Sequence, residues 1–381
     1  MRAALVLVLV SACGTPTPTP DAGPSGFIET YTPTERRPLG LNDVTFLLPL
    51  PRADAGVALP AGGTLVPRNL FDRLTTQPQD VLAELPRFRV VAARFDLCDR
   101  PRPGPCSNEA DGVLRLVLQP VSPLTGAEDV ALHAFYPVPR AEVYETIDTL
   151  RALARLQDVD PRSMLGVNRA FGPNPEFTTR FSALLARYAR IERLFRLTLF
   201  GQLTRNAALI WVFRGLERRG EAFVRIEIPD VRELDQVTRL FSATEVLNAP
   251  QADAPAGFRL LMAAREFASA PTADQRQALD VLEAIDNPTL HTAETMQCVS
   301  CHIATTVRAD RARAAKVDLA TLPSHFSATR FDLTPLGDEG IRFRTLRALG
   351  WFGTSPLVSA RVVNESAAVV EELEARFPPA R

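Results

Sequence analysis

Period-two alternation of apolar and polar positions runs through residues 42–229. Leu114, Leu116 and Leu118 are separated by Arg115 and Val117. Val130, Leu132, Ala134 and Tyr136 fall on one face of a second run, and Phe195, Leu197 and Leu199 mark a third. In a fourth, Val224, Ile226 and Ile228 alternate with Arg225 and Glu227. Each pattern predicts a strand with one face in a core. Residues 207–213 are continuously apolar, which suits a strand buried on both faces. The turn Glu217-Arg218-Arg219-Gly220 predicts a hairpin over 205–225. Two stretches keep helical spacing instead: Val143, Ile147, Leu150 and Ala154, then Leu184, Leu185, Tyr188 and Ile191.

Helical spacing takes over in the last third. A helix is expected over Thr272–Ile285 with Ala278, Leu282 and Ile285 inward, ended by the turn signal Asp286-Asn287-Pro288. Residues 303–316 predict a second helix whose Arg308, Arg311 and Arg313 form a mostly solvated face, and 358–377 a third with Val362, Val363, Val369, Val370 and Leu373 on its apolar side. The expected fold is α+β: a β-rich, sandwich-like domain with helical insertions over 42–250, then a mainly helical region over 251–381. The terminal helix can close a pocket in that region, while Trp351-Phe352-Gly353 just before it suits packing on the strands equally well.

The chain has 381 residues with 46% hydrophobic and 23% charged positions, enough apolar material for a packed core. A net charge of −1 gives no electrostatic reason to expect nucleic acid as a partner. No internal repeat, nucleophile triad, phosphate loop or nucleotide-binding fingerprint occurs.

The N-terminus adds a location. Arg2 precedes an apolar run over residues 3–10, too short for the roughly 20 residues a bilayer span needs. The sequence Val10-Ser11-Ala12-Cys13 that follows resembles the lipobox of bacterial lipoproteins. That resemblance implies a signal peptide over 1–12 and acylation of Cys13. The protein would then be held at the cell envelope by its lipid and face the periplasm. Residues 13–41, rich in Pro, Thr and Gly, read as a tether between lipid and folded chain.

Five cysteines are present. With Cys13 assigned to lipid, Cys98 and Cys106 flank a turn-rich loop, and outside the cytoplasm a disulfide closing that loop is expected. The remaining pair lies in Cys298-Val299-Ser300-Cys301-His302, a C-x-x-C-H motif. Two thiols at this spacing can each form a thioether with one vinyl group of a porphyrin, and the adjacent imidazole can ligate the iron beneath it. In this the segment resembles the haem-attachment site of c-type cytochromes. The resemblance covers the motif alone and implies one haem c on Cys298 and Cys301, with His302 as proximal ligand. Zinc binding by the same residues with a second His, thioredoxin-like redox chemistry and a structural disulfide are the rival readings. The run 292–297 before the motif is polar and lacks the strand pattern that the thioredoxin reading requires.

The sixth iron position is the open question. No Met follows His302, so the His/Met pairing of many small monohaem cytochromes has no C-terminal donor here. Met296 is tethered within about 7 Å of the porphyrin edge and cannot wrap to the far face. Met164 and Met262 read as core filler. The chain has four His. His291, seven residues before Cys298, and His325, in the loop Leu322-Pro323-Ser324-His325-Phe326, are the candidates for distal ligand. His133, in a strand-like run remote from the motif, reads as a structural residue.

The leading function is one-electron transfer with a redox partner protein. A haem enzyme of peroxidase-like type, or a gas or redox sensor with an open distal position, is the second class. A partner-binding lipoprotein with an accessory haem is the third.

Overall fold

One broad antiparallel sheet forms the centre of the molecule. The structure, a computed structural model, describes residues 37–50, 65–74, 85–98, 110–202, 210–226, 236–240, 246–248, 260, 264–291, 298–323, 326–338, 345 and 348–379. For 202, 210–212, 236–240, 246–248, 264, 298–300 and 320 only the backbone is described.

The first half runs α1 (Leu41–Val44), β1 (Thr45–Leu47), α2 (Arg68–Leu74), β2 (Phe88–Leu97), β3 (Ala110–Ser122), β4 (Gly126–Ala127), β5 (Ala131–Pro139), α3 (Val143–Leu156) and α4 (Pro175–Tyr188). It continues with β6 (Arg196–Gln202), β7 (Ile210–Arg219), β8 (Ala222–Arg225), β9 (Gln236–Leu240) and β10 (Val246–Asn248). The C-terminal part adds α5 (Ala264–Ser269), α6 (Thr272–Ile285), α7 (Cys298–Ala315), the hairpin β11 (Leu349–Phe352) and β12 (Ser355–Val358), and α8 (Ala360–Arg376).

Strands β1 to β10 make one sheet in the order β1-β2-β3-β5-β6-β7-β9-β10, with β4 paired to β3 and β8 to β7. Every pairing is antiparallel. The α+β class therefore holds. The expected sandwich of two facing sheets is replaced, among the described residues, by one sheet covered on both faces by helices. The reason lies in the strands. Residues 88–97 and 110–122 are buried at most positions, not at every second one, so both faces need cover.

Alternation along the strands fixes what each face carries. One face presents Phe46, Leu116, Leu132, Ala134, Tyr136 and Leu197, following the registers of β1, β2, β3, β5 and β6. Helix α4 covers it: the Phe46 ring lies 6.3 Å from Phe177 and 4.9 Å from Phe181. Helix α3 is tied to α4 by the hydroxyls of Thr146 and Tyr188, 2.7 Å apart. Asn174 caps α4 by accepting from Phe177 N at 3.1 Å, with Pro175 at the first helical position.

The opposite face carries Thr45, Arg94, Arg115, Gln119, His133, Phe135, Phe200 and Phe213, and the C-terminal elements cover it. Thr45 meets Ser366 of α8 at 2.7 Å, and Arg94 pairs with Glu365 one residue earlier. The β11–β12 hairpin docks through Trp351, whose backbone N–H donates to Gln119 Oε1 at 2.8 Å and whose indole N–H donates to Leu48 O at 3.0 Å. Of the two placements offered by the sequence for this end, packing on the strands is the one seen. Trp351 packs on the strands, and α8 also lies against α7, with Ala360 N donating to Thr305 Oγ1 at 3.2 Å.

The expected hairpin forms as β7 and β8, with Arg219 opposite Ala222 and Gly220 at φ 63° in the turn. The expected boundary near residue 250 and residues 13–36 of the expected tether lie outside the described residues, while the end of that stretch belongs to the folded part, with Leu39 and Leu41 buried and Leu41 opening α1. Among the described residues, no helix is long and apolar enough to cross a membrane.

Candidate functional site

The C-x-x-C-H segment opens a helix. Residues expected to form a helix only from 303 instead form one from Cys298 onward, so the motif is the first turn of the 18-residue α7. Cys301 and His302 are both partly buried, and Cys301 is present as the thiol. Behind them Ile303, Ala304 and Val307 are buried. Residues four apart share a helix face, so this packing fixes the rotation of α7 and the direction of the motif's side chains.

The His302 ring reaches the sheet. Its centroid lies 5.0 Å from the ring of Phe213 and 5.2 Å from that of Phe200, both edge-on. Those two phenyl rings stack on each other at 5.6 Å. The third ring is His133, with its centroid 6.5 Å from His302 and the planes 48° apart. Strand register explains this grouping. His133 faces Thr198 across β5 and β6, Ala131 faces Phe200, and Phe200 faces Phe213 across β6 and β7. Positions 131 and 133 share a face, so three rings from three strands converge beneath the motif.

A polar network holds α6, α7 and α8 together beside this point. Arg361 is buried and donates through Nη1 to Ile285 O at 3.0 Å and through Nη2 to His291 O at 2.6 Å. Its Nε donates to Glu365 Oε1 at 2.7 Å. Glu365 is held well below the usual carboxylate range, against its burial, by Arg94, Arg361 and Arg115. Asp286 is completely buried at the C-terminus of α6, where desolvation pushes its carboxyl up to about 7. It accepts from Thr305 Oγ1 at 3.3 Å, and Arg308 lies 3.8 Å away. Arg308, read as part of a solvated face, also pairs with Glu283. Arg311, read the same way, is buried with only 2% exposure and pairs with Asp310. Both are corrections to the solvated-face expectation. Their neighbours Ala304 and Val307 on α7 are buried too, so the helix has little solvated surface at that end.

The motif thus offers a thiol and an imidazole on adjacent residues at a helix start, with a second imidazole nearby and an apolar aromatic floor. Such a donor set fits an iron porphyrin held by thioethers and nitrogen ligands. Among the described residues no group of three or more His, Cys, Asp or Glu side chains is placed to hold a metal ion, and the Cys298 side chain is not among those described.

Other expected residues fall as follows. His291 directly follows the turn after α6, where Asn287 Oδ1 accepts from Thr289 N at 2.8 Å and Asn287 O from His291 N at 3.2 Å. Burial and the nearby Arg361 charge lower the His291 imidazole below its ordinary value, which favours the neutral ring. Cys98 directly follows β2 and is buried against Ala110, Val113 and Phe135. Cys13, Cys106 and His325 lie outside the described residues. His133, expected to be a structural residue remote from the motif, instead has its ring beside that of His302. The one available signal was a polar, titratable residue on a strand whose neighbours Ala131, Leu132, Ala134 and Phe135 are all apolar. No family model, curated protein or solved structure matches the chain.

Proposed function

We propose that the protein is a membrane-anchored periplasmic c-type cytochrome that transfers one electron at a time. The observation that carries this reading is the C-x-x-C-H sequence at the first turn of α7, with its His302 ring turned inward onto aromatic side chains of the sheet. In this reading Cys298 and Cys301 hold one haem c by thioethers and His302 is the proximal iron ligand. The haem supplies a one-electron ferric/ferrous couple. The protein's own residues anchor it, exclude water and orient the imidazole. Phe200 and Phe213 pack against the His302 ring and restrict its rotation. The Arg361–Asp286–Thr305 network locks α7 to α6 and α8, keeping the motif in register with the sheet.

The signal peptide over 1–12, lipid on Cys13 and the Cys98–Cys106 pairing belong to the same proposal, because thioether attachment and disulfides are both chemistry of the oxidising side of the inner membrane. The partner is a redox protein that exchanges single electrons. The test is direct. Haem should remain with the polypeptide through denaturation and acid–acetone extraction, and the purified protein should contain one iron per chain. Haem that extracts cleanly, or zinc in place of iron, overturns the reading.

A further inference from the structure

We propose that His133 of β5 is the second axial ligand of the haem iron, opposite His302. This rests on the reading of residues 298–302 as the haem-attachment site and adds the ligand that closes its other side. An iron–imidazole bond of about 2 Å and a nitrogen-to-centroid distance of about 1.2 Å put two trans imidazole rings about 6.4 Å apart. The His133 and His302 centroids are 6.5 Å apart. Phe200 and Phe213 pack on His302 more closely, at 5.2 and 5.0 Å. Of the three rings beneath the motif, only the one with a metal-binding nitrogen stands off by the span of a coordinated iron.

The backbone makes His133 a fixed donor. It is hydrogen-bonded into the sheet on both sides, between Val117 of β3 and Thr198 of β5's other neighbour β6. A ligand carried on a central strand is positioned more sharply than one on a loop. The expected candidate His291 is engaged differently: its backbone carbonyl is gripped by Arg361 of α8. The assignment also gives the sheet a role in the redox site. One axial ligand comes from the helical part and one from the strands, so the large β-rich region becomes half of the haem pocket. Two nitrogen ligands make the iron six-coordinate, which suits electron transfer and opposes ligand binding.

The experiment is ligand substitution read by spectroscopy on the full chain. Wild-type ferric protein should be low-spin at neutral pH and lack the near-infrared sulfur-to-iron band. His133→Ala should keep its covalent haem, shown by haem staining on a denaturing gel. It should become high-spin or water-ligated and bind carbon monoxide when reduced, and added imidazole should restore the low-spin state. His133→Met, which fits a strand, should instead gain the sulfur-to-iron band, and it decides the matter if the Ala variant does not fold. His291→Ala and His325→Ala should both stay low-spin. The proposal is overturned if His133→Ala remains low-spin, if His133→Met shows no sulfur band, or if either of the other two variants becomes high-spin. Absence of covalent haem from the wild-type chain would instead overturn the cytochrome reading itself.

Discussion

Arg361 of α8 donates from Nη2 to the carbonyl oxygen of His291, 2.6 Å away and 70 residues earlier in the chain. The same guanidinium reaches Ile285 O and Glu365, so one buried cation fastens the end of α6 to the terminal helix beside the motif. Truncation leaves two carbonyls without this donor and Glu365 without one of the cations that hold it ionised. Arg361→Met should therefore lower stability by about 3–5 kcal/mol, the scale for breaking a buried ion pair from one side. Arg361→Lys should recover only part, because a single ammonium cannot serve three acceptors in a fork. Denaturant unfolding of the three proteins checks this. Equal midpoints for wild type and Arg361→Met would show that the network contributes nothing.

Asp286 makes stability depend on pH in the direction opposite to most carboxylates. Its folded pKa is about 7 against an ordinary 3.8, raised by desolvation. Between those values the native state holds a proton that the unfolded chain has released, so this group's contribution falls as pH rises from 4 through 7 and then levels off. Asp43, buried beside Arg37 and raised to about 6, adds a term of the same sign. Asp286→Asn keeps an acceptor for Thr305 and removes the titration. The stability difference between pH 5 and pH 8 should shift by about 2–3 kcal/mol relative to wild type, with the variant losing less on going to the higher pH. Parallel pH profiles for the two proteins would refute the assignment.

The sequence showed its strands and helices through local periodicity, and these survive well. Thr272–Ile285 is helical to the residue, and Leu132, Ala134 and Tyr136 share a face as their spacing required. What local pattern could not show is which remote surfaces meet. The strands were read as two facing sheets because alternation reports burial but not the identity of the cover, and here α4 and α8 supply it. The start of α7 was placed five residues late, because Cys298, Ser300 and Cys301 carry weak helix propensity and no apolar stripe. The position of His133 was hidden from the sequence for the same non-local reason. Its relation to His302 spans 169 residues and exists only once β5, β6 and α7 are stacked.

Gly126 stands at the junction of the sheet and the β11–β12 hairpin with φ 81°, a backbone conformation that favours glycine. A Cβ there would lie 2.2 Å from the carbonyl oxygen of Gly353, where Ala127 N donates to Gly353 O at 2.8 Å and Gly353 N to Ala127 O at 2.9 Å. Gly126→Ala should cost about 2 kcal/mol or more, since it adds both left-handed strain and a backbone collision. The hairpin carries Trp351, so amide exchange should rise around residues 349–358 before it rises in β2 and β3. Unchanged protection there, with an unchanged melting temperature, would contradict this account of the junction.

Cys98 joins the end of β2 to a buried cluster of Ala110, Val113 and Phe135, and its N–H continues the strand ladder by donating to Asp111 O at 2.9 Å. The proposed Cys98–Cys106 disulfide closes a short loop. The chain-entropy contribution of such a loop is about 2–3 kcal/mol, modest because a few residues lose little freedom on closure. Cys98→Ser and Cys106→Ser should each lower stability by that amount, and the double variant by no more than either single one, because both remove the same cross-link. Non-reducing gels of the single variants should show a free thiol at the surviving partner. Additive losses in the double variant, or alkylatable thiols at both positions of the wild-type oxidised protein, would rule out this pairing. In either outcome the cluster around Val113 and Phe135 should remain packed, since a serine at 98 deletes the sulfur but none of the apolar rings around it.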